Sequence, residues 1–274
     1  MKKKLFELFC GITKRKKIND RWLTLSKQST KAFKPFVRNE FDSIEINAIK
    51  KYCKPGSIIF DIGANIGVMT VEMSEIAGSN GKVFSFEPNP FIFRELIDLI
   101  NTNCHFDNVV PIQSAIAEAF NVEDFFVSKT DSLGVMSSLY PNDSQSFKTK
   151  VSILTIDIIS KGLTQLDYIK IDAEGAEELI LRGGIETLAK LKPVIQIEIH
   201  GNYLSNFKSS VQGIFEILEN LGYTALNLIN QEKTDANDFM RNTHFHYIDP
   251  RTNKDLAYEG YGQVVFLPEH IGNA

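Results

Sequence analysis

Cysteine is scarce in this chain of 274 residues. Cys10, Cys53 and Cys104 are odd in number, widely spaced and never in a Cys-x-x-Cys pair. That pattern excludes a disulfide framework, supplies no zinc site and fits a reducing cytosol. A marked excess of either charge is missing too: the formal net charge of −4 gives no general reason to expect a nucleic-acid partner. Internal repeats and low-complexity linkers are absent. So are two familiar nucleotide signatures, the Gly-x-Gly-x-x-Gly turn of dinucleotide binding and a phosphate loop closing in Gly-Lys-Ser/Thr.

Positive charge is concentrated at the start. Lys2, Lys3, Lys4, Lys14, Arg15, Lys16 and Lys17 face Glu7 alone. The apolar stretch between them, Leu5 to Ile12, is short, interrupted by Glu7 and followed by lysines instead of a small-residue cleavage site, which makes a poor signal peptide. It also falls well short of the roughly twenty apolar residues that span a bilayer. Two readings stay open: a basic amphipathic helix touching the inner face of a membrane from the cytoplasm, and a solvated helix or frayed tail. Residues 1–50 are expected to form an N-terminal helical extension. Residues 51–274 are expected to form one domain, with an insertion at about 118–155.

The most informative run is Ile58-Ile59-Phe60-Asp61-Ile62-Gly63-Ala64-Asn65-Ile66-Gly67. Apolar residues lead into an acid, and a glycine-bounded turn opens onto an amphipathic stretch from Val68 to Ala77. This reads as a buried parallel strand, a tight turn and a helix start, where a doubly wound α/β fold holds a nucleotide-like ligand. Gly63 allows the sharp turn and Gly67 a close approach of helix to strand. An acid at the strand tip would repel a pyrophosphate, but it suits the cationic amino-acid end of S-adenosylmethionine. A second strand, Lys82 to Phe86, ends in Glu87, where an acid grips a ribose diol.

Strands and helices then alternate. Helices are expected at Phe91–Thr102, about Ala176–Lys190 and Val211–Leu221, with a bend at Gly183-Gly184. Further strands are expected at Asn108–Gln113, Tyr168–Ile171, Val194–Ile199, Tyr223–Ile229 and Gln263–Leu267. Val122–Val127 and Lys150–Leu154 form an insertion. Together they predict a mostly parallel seven-stranded sheet with helices on both faces.

A second constellation repeats the logic of the first: Lys170-Ile171-Asp172-Ala173-Glu174-Gly175-Ala176-Glu177 places an acid at a strand tip before a helix. Ligands in open α/β sheets bind beyond the carboxyl ends of the strands, so Asp61, Glu87 and Asp172 are expected around one crevice. Alternation puts Glu198 and His200 on one face of the strand that ends there.

At Phe-Asp-Ile-Gly-Ala-Asn-Ile-Gly (60–67), Phe-Glu-Pro-Asn (86–89), Leu-Thr-Ile-Asp (154–157) and Lys-Ile-Asp-Ala-Glu-Gly-Ala-Glu (170–177), the chain resembles the FkbM-type methyltransferases. Gln-Ile-Glu-Ile-His at 196–200 fits less specifically, and the resemblance covers roughly residues 57–230. It implies a Rossmann-like class I fold and methylation of an oxygen with S-adenosylmethionine as donor. The implied cofactor contacts are Asp61, Gly63, Ala64, Asn65, Gly67, Glu87, Asn89 and Ser114. The implied acceptor is a small molecule or a glycan, in particular a sugar hydroxyl in a glycan or glycolipid, with no nucleic acid.

An alcohol needs a base or a metal to become a nucleophile. Asp172, Glu174, Glu198 and His200 are the candidates, and a divalent cation, if used, would sit on Asp172 and Glu198. Each has a structural alternative: Glu174 at a helix N-terminus, Glu198 in an ion pair, His200 as a rim residue. His244-Phe245-His246 lacks a third zinc ligand and reads as ordinary strand. Lys129 to Ser138 stands where the family places an acceptor-side loop. Two other functions remain open: a nicotinamide-dependent oxidoreductase using the same crevice, and a noncatalytic binding protein on the same fold.

Overall fold

A computed structural model describes residues 14–18, 21–32, 41–127, 139, 147–249, 254–259 and 261–272. The basic stretch up to residue 13 and the 129–138 loop lie outside the described residues. The chain divides into two compact bodies, residues 1–115 with 121–153, and residues 116–120 with 154–274.

The first body opens with an antiparallel hairpin of β1 (Lys14–Ile18) and β2 (Arg21–Leu25). The extension expected as helical over residues 1–50 is helical, among the described residues, at Lys27–Ala32 and in the helix Phe41–Tyr52, while β1 and β2 take residues 14–18 and 21–25. Leu23, Thr24 and Leu25 are all buried while Trp22 is exposed, so only the outer end of this strand meets solvent. Then come β3 (Ile58–Ile62), β4 (Lys82–Phe86) and β5 (Val109–Ile112), which run parallel in that order. Their near-continuous apolar sequence is that of strands covered on both faces. Phe60 sits edge-on to Phe84 and Phe86, with ring centroids 5.5 and 5.7 Å apart. Helices Val68–Ala77 and Pro90–Asn103 follow β3 and β4. The short strand β6 (Ala115–Ile116) precedes a hairpin of β7 (Asn121–Val127) and β8 (Phe147–Leu154).

In the second body β9 (Tyr168–Ile171) pairs parallel with β10 (Val194–His200). After β11 (Tyr223–Asn227) come β12 (His244–Asp249) and β13 (Lys254–Glu259), a hairpin. Last is β14 (Tyr261–Pro268), antiparallel to both β10 and β11 and therefore between them. Ile169, Ile171, Ile195, Ile197 and Ile199 are all buried to completion. The helix expected at 176–190 is two, Glu177–Arg182 and Ile185–Leu191, and the break falls at Gly183-Gly184 as its glycines suggest. The strands β3, β4, β5, β9, β10, β11 and β14 make up a seven-stranded, mostly parallel Rossmann-like sheet.

Candidate functional site

In the first body the turn after β3 is shaped by backbone conformation. Gly63 and Gly67 have φ of 78° and 97°, and Asn65 between them is also left-handed at 51°. A Cβ on Gly67 would overlap the Leu96 side chain, so the close approach this glycine permits is to helix Pro90–Asn103, not to the strand as the sequence suggests. The N–H groups of Gly63 and Ala64 both donate to the Phe86 carbonyl, at 3.0 and 2.9 Å. This ties the turn to the end of β4. Asn65 also turns its Oδ1 back to accept from the Ile66 N–H at 2.7 Å, a local bond that helps a non-glycine residue hold positive φ.

Asp61 is wholly buried and accepts from the Thr70 hydroxyl at 2.5 Å. Glu87 spans two loops: one oxygen accepts from the Asn65 N–H at 3.0 Å and the other from the Asn89 N–H at 2.8 Å. Asp61, Gly63, Ala64, Asn65, Gly67, Glu87 and Asn89 therefore belong to two consecutive, mutually braced turns. Within them Asn89 does structural work, its side chain accepting from Phe91 N–H at 3.0 Å as the N-cap of helix Pro90–Asn103. Ser114 is buried, with its hydroxyl 2.8 Å from the carbonyls of both Ala115 and Ser152. That places it as a clasp between the end of the third strand and the β7–β8 hairpin.

The second body gathers the other four candidates around one imidazole. His200 Nε2 lies 3.9 Å from Asp172 Oδ1, 3.8 Å from Glu174 Oε2 and 3.9 Å from Glu198 Oε1. These are ion-pair separations, too long for direct hydrogen bonds. The opposite ring nitrogen, Nδ1, is 3.1 Å from Oε1 of Glu177, a side chain with no exposed surface. Tyr203 stacks on the imidazole, 6.2 Å between centroids. Position follows from topology: Asp172 and Glu174 sit just past β9, His200 ends the parallel neighbour β10, and Glu198 precedes it by two on the same face. Glu174 is left-handed at φ 51°, and the Gly175 that follows, at φ 105°, leaves no room for a Cβ, which would lie 2.7 Å from Tyr203 Cβ.

Electrostatics give the three partners different characters. Burial works against a charge on His200, but Glu174, Glu177 and Glu198 outweigh it and raise its pKa well above 6.5. Burial likewise pushes Asp172 up, yet the Lys170 ammonium at 3.2 Å and His200 bring it below the ordinary carboxylate value. Glu174 goes the other way: burial raises it, beyond what His200 takes back. Asp172 is thus the member whose charge its surroundings favour, and Glu174 the one whose charge burial disfavours. Asp172, Glu174 and His200 each also offer a ligand atom within 4.8 Å of the others.

Sequence reading missed two supporting residues. Lys170, 4% exposed on β9, holds Asp172, and Glu177 holds His200. The signal for Lys170 was present, a charged residue inside an otherwise apolar buried strand. Glu177 ends the motif at 170–177, but its contact with His200, 23 residues on, gives its role no local sign. His244 and His246 lie on β12, paired with Glu259 and Ala257 of β13; their side chains are outside the described residues. No helix among the described residues is long and apolar enough to cross a membrane.

Comparison with known proteins bears on these features. Residues 61–225, more than half of the chain, match the model of the methyltransferase FkbM domain. The chain is 24% identical over 208 residues to a fibrillarin-like rRNA/tRNA 2'-O-methyltransferase of Pyrococcus horikoshii, covering 75% of this chain and 76% of that protein. It is 23% identical over 186 residues to the protein of the same name from Pyrococcus furiosus, covering 67% and 69%. A crystal structure of methyltransferase FkbM from Methylobacillus flagellatus superposes with a TM-score of 0.43 at 13% identity, over 81% of this chain and 50% of that one. The exclusion of a nucleic-acid partner is corrected here, since both relatives are named for rRNA and tRNA. A net charge averages over the whole surface and does not exclude a local basic face.

Proposed function

The chain belongs to the FkbM methyltransferase family, and on that premise we propose that it methylates a sugar hydroxyl. Family membership makes it an S-adenosylmethionine-dependent methyltransferase and sets aside the nicotinamide and noncatalytic alternatives. What carries the sugar hydroxyl as acceptor is the cluster of Asp172, Glu174 and Glu198 around His200 Nε2, a set of groups suited to taking the proton of an alcohol.

In this reading Asp61, Glu87 and the turn from Gly63 to Gly67 hold the cofactor, with residues 1–50 as an extension to the methyltransferase domain. Transfer is an in-line displacement: the acceptor oxygen bonds to the methyl carbon as the carbon–sulfur bond breaks, leaving S-adenosylhomocysteine. Asp172 orients the acceptor by accepting a hydrogen bond from a polar hydrogen beside the reacting hydroxyl. Glu174, the carboxylate whose charge burial disfavours, accepts the hydrogen bond of the acceptor hydroxyl and takes its proton as the oxygen bonds to the methyl carbon. A divalent cation on Asp172, Glu174 and His200 is the alternative means, which would make the hydroxyl more acidic.

Two acceptors share the chemistry. A sugar of a glycan or glycolipid fits the implication of the family motifs. The ribose 2'-hydroxyl of RNA is favoured by the names of the two relatives. Incubating the protein with methyl-labelled S-adenosylmethionine and either RNA transcripts or cell-envelope glycans, then hydrolysing to monomers, separates them. Label on a sugar oxygen supports the proposal, and the productive pool names the acceptor. Label on a base nitrogen overturns it.

A further inference from the structure

The hairpin β1–β2 precedes the family match, which begins at residue 61, yet it is built into the same body as the two braced turns. Ile18, Leu23 and Leu25 share one buried cluster with Ile66, Val68, Val71, Ile92 and Leu99. Ile66 is the apolar residue between Asn65 and Gly67, inside the glycine-bounded turn, and is 1% exposed.

Polar ties from the hairpin and the segment after it reach both helices that leave the turns. Arg21 Nε donates to Glu72 Oε1 at 2.8 Å, on helix Val68–Ala77. The Thr24 N–H donates to Asn103 Oδ1 at 2.7 Å, and Asn103 Nδ2 returns a bond to the Thr24 carbonyl at 3.1 Å, on helix Pro90–Asn103. The hydroxyls of Ser26 and Ser29 both donate to Glu95 of that helix, Ser29 at 2.5 Å. One helix begins after Gly67 and the other after Asn89, so the hairpin holds fixed the two elements whose starts flank Glu87.

We propose that the hairpin β1–β2 is a positioning element for the S-adenosylmethionine turn, acting through the buried cluster that Leu23 shares with Ile66. The proposal rests on reading the Gly63–Gly67 turn as the cofactor site. The turn needs such support because it contains a non-glycine residue, Asn65, at positive φ, a conformation that persists only when its surroundings over-determine it. Covering Ile66 supplies an apolar anchor beside that residue. Without it the binding-competent turn becomes one conformer among several, and apparent affinity falls by the fraction lost.

The test uses the full chain. Affinity for S-adenosylmethionine is measured by calorimetry, at a temperature where circular dichroism shows every variant folded. Leu23→Ala is expected to weaken binding about tenfold, and the conservative Leu23→Ile to restore most of it. Phe215→Leu, in the second body where Phe215 packs edge-on to Phe266 at 5.1 Å, lowers Tm without touching the turn and should keep affinity within about twofold. A Leu23→Ala protein that loses Tm but binds like wild type overturns the proposal. Should Leu23→Ala not fold, Arg21→Gln carries the same expectation at about threefold, and unchanged affinity there overturns it equally. Asp61→Asn and Glu87→Ala guard the premise: if both bind normally, it is the cofactor assignment that fails and not the coupling.

Discussion

His200 Nδ1 lies 3.1 Å from Oε1 of Glu177, a carboxylate with no solvent exposure that also accepts the Gly175 N–H at 3.0 Å. That contact fixes which ring nitrogen faces the protein and leaves Nε2 to Asp172, Glu174 and Glu198. A histidine oriented by a buried carboxylate behind it is a reactive group with a set direction.

Glu177→Gln keeps the acceptor for Gly175 but removes a charge that favours the imidazolium. The His200 pKa should fall toward 6.5, seen by NMR titration of its ring protons. The sign for stability follows: a histidine raised on folding stabilises fully below its unfolded value near 6.5, and this contribution is lost as pH climbs through the raised value. Tm against pH should therefore show wild type exceeding the Gln variant most in mild acid, with the gap closing toward alkaline pH. Parallel curves would deny Glu177 this role.

Glu87→Ala removes the acceptor of two backbone N–H groups at once, those of Asn65 and Asn89. Cofactor affinity should fall by about 1–3 kcal/mol, the cost of losing charge-assisted bonds and loosening the turn. Calorimetry reads this directly. Asp61→Ala should abolish binding altogether.

Gly67→Ala meets two obstacles, a φ of 97° and the Leu96 side chain in the space a Cβ needs. A loss of roughly 1–3 kcal/mol in folding stability is expected from strain of this kind. Chemical denaturation with an unchanged m-value would show it. A fully stable variant would mean that the turn and helix can shift apart without cost.

Much of this molecule is legible in the chain. The apolar run 58–62 with its acid and bounding glycines, the acid ending the second strand, and the Asp172 motif each declare a strand, a turn and a helix locally. Gly183-Gly184 declares its break. The first hairpin is not legible: Leu23, Thr24 and Leu25 are buried together without a period of two, and the lysines around them suggest a solvated helix. Other features depend on distant partners. Asn89 and Ser114 look like ligand contacts by their place at strand ends, whereas a helix N-cap and a hairpin clasp occupy their side chains. The link from Glu177 to His200 has no local signature at all.

The most direct test of the division of labour between the two sets of residues is single-turnover methyl transfer by Asp172→Asn, with cofactor affinity measured on the same protein. Asn keeps the shape of Asp172 and removes the charge that Lys170 stabilises. The rate of the chemical step should fall by about 10²-fold or more while S-adenosylmethionine binds nearly as before. Chelator treatment of wild type then separates the two proposed means: loss restored by Mg²⁺ or Mn²⁺ marks a cation, indifference a direct base. An Asn variant that turns over like wild type, or one that loses cofactor affinity in proportion to rate, would contradict the assignment of Asp172 to the acceptor.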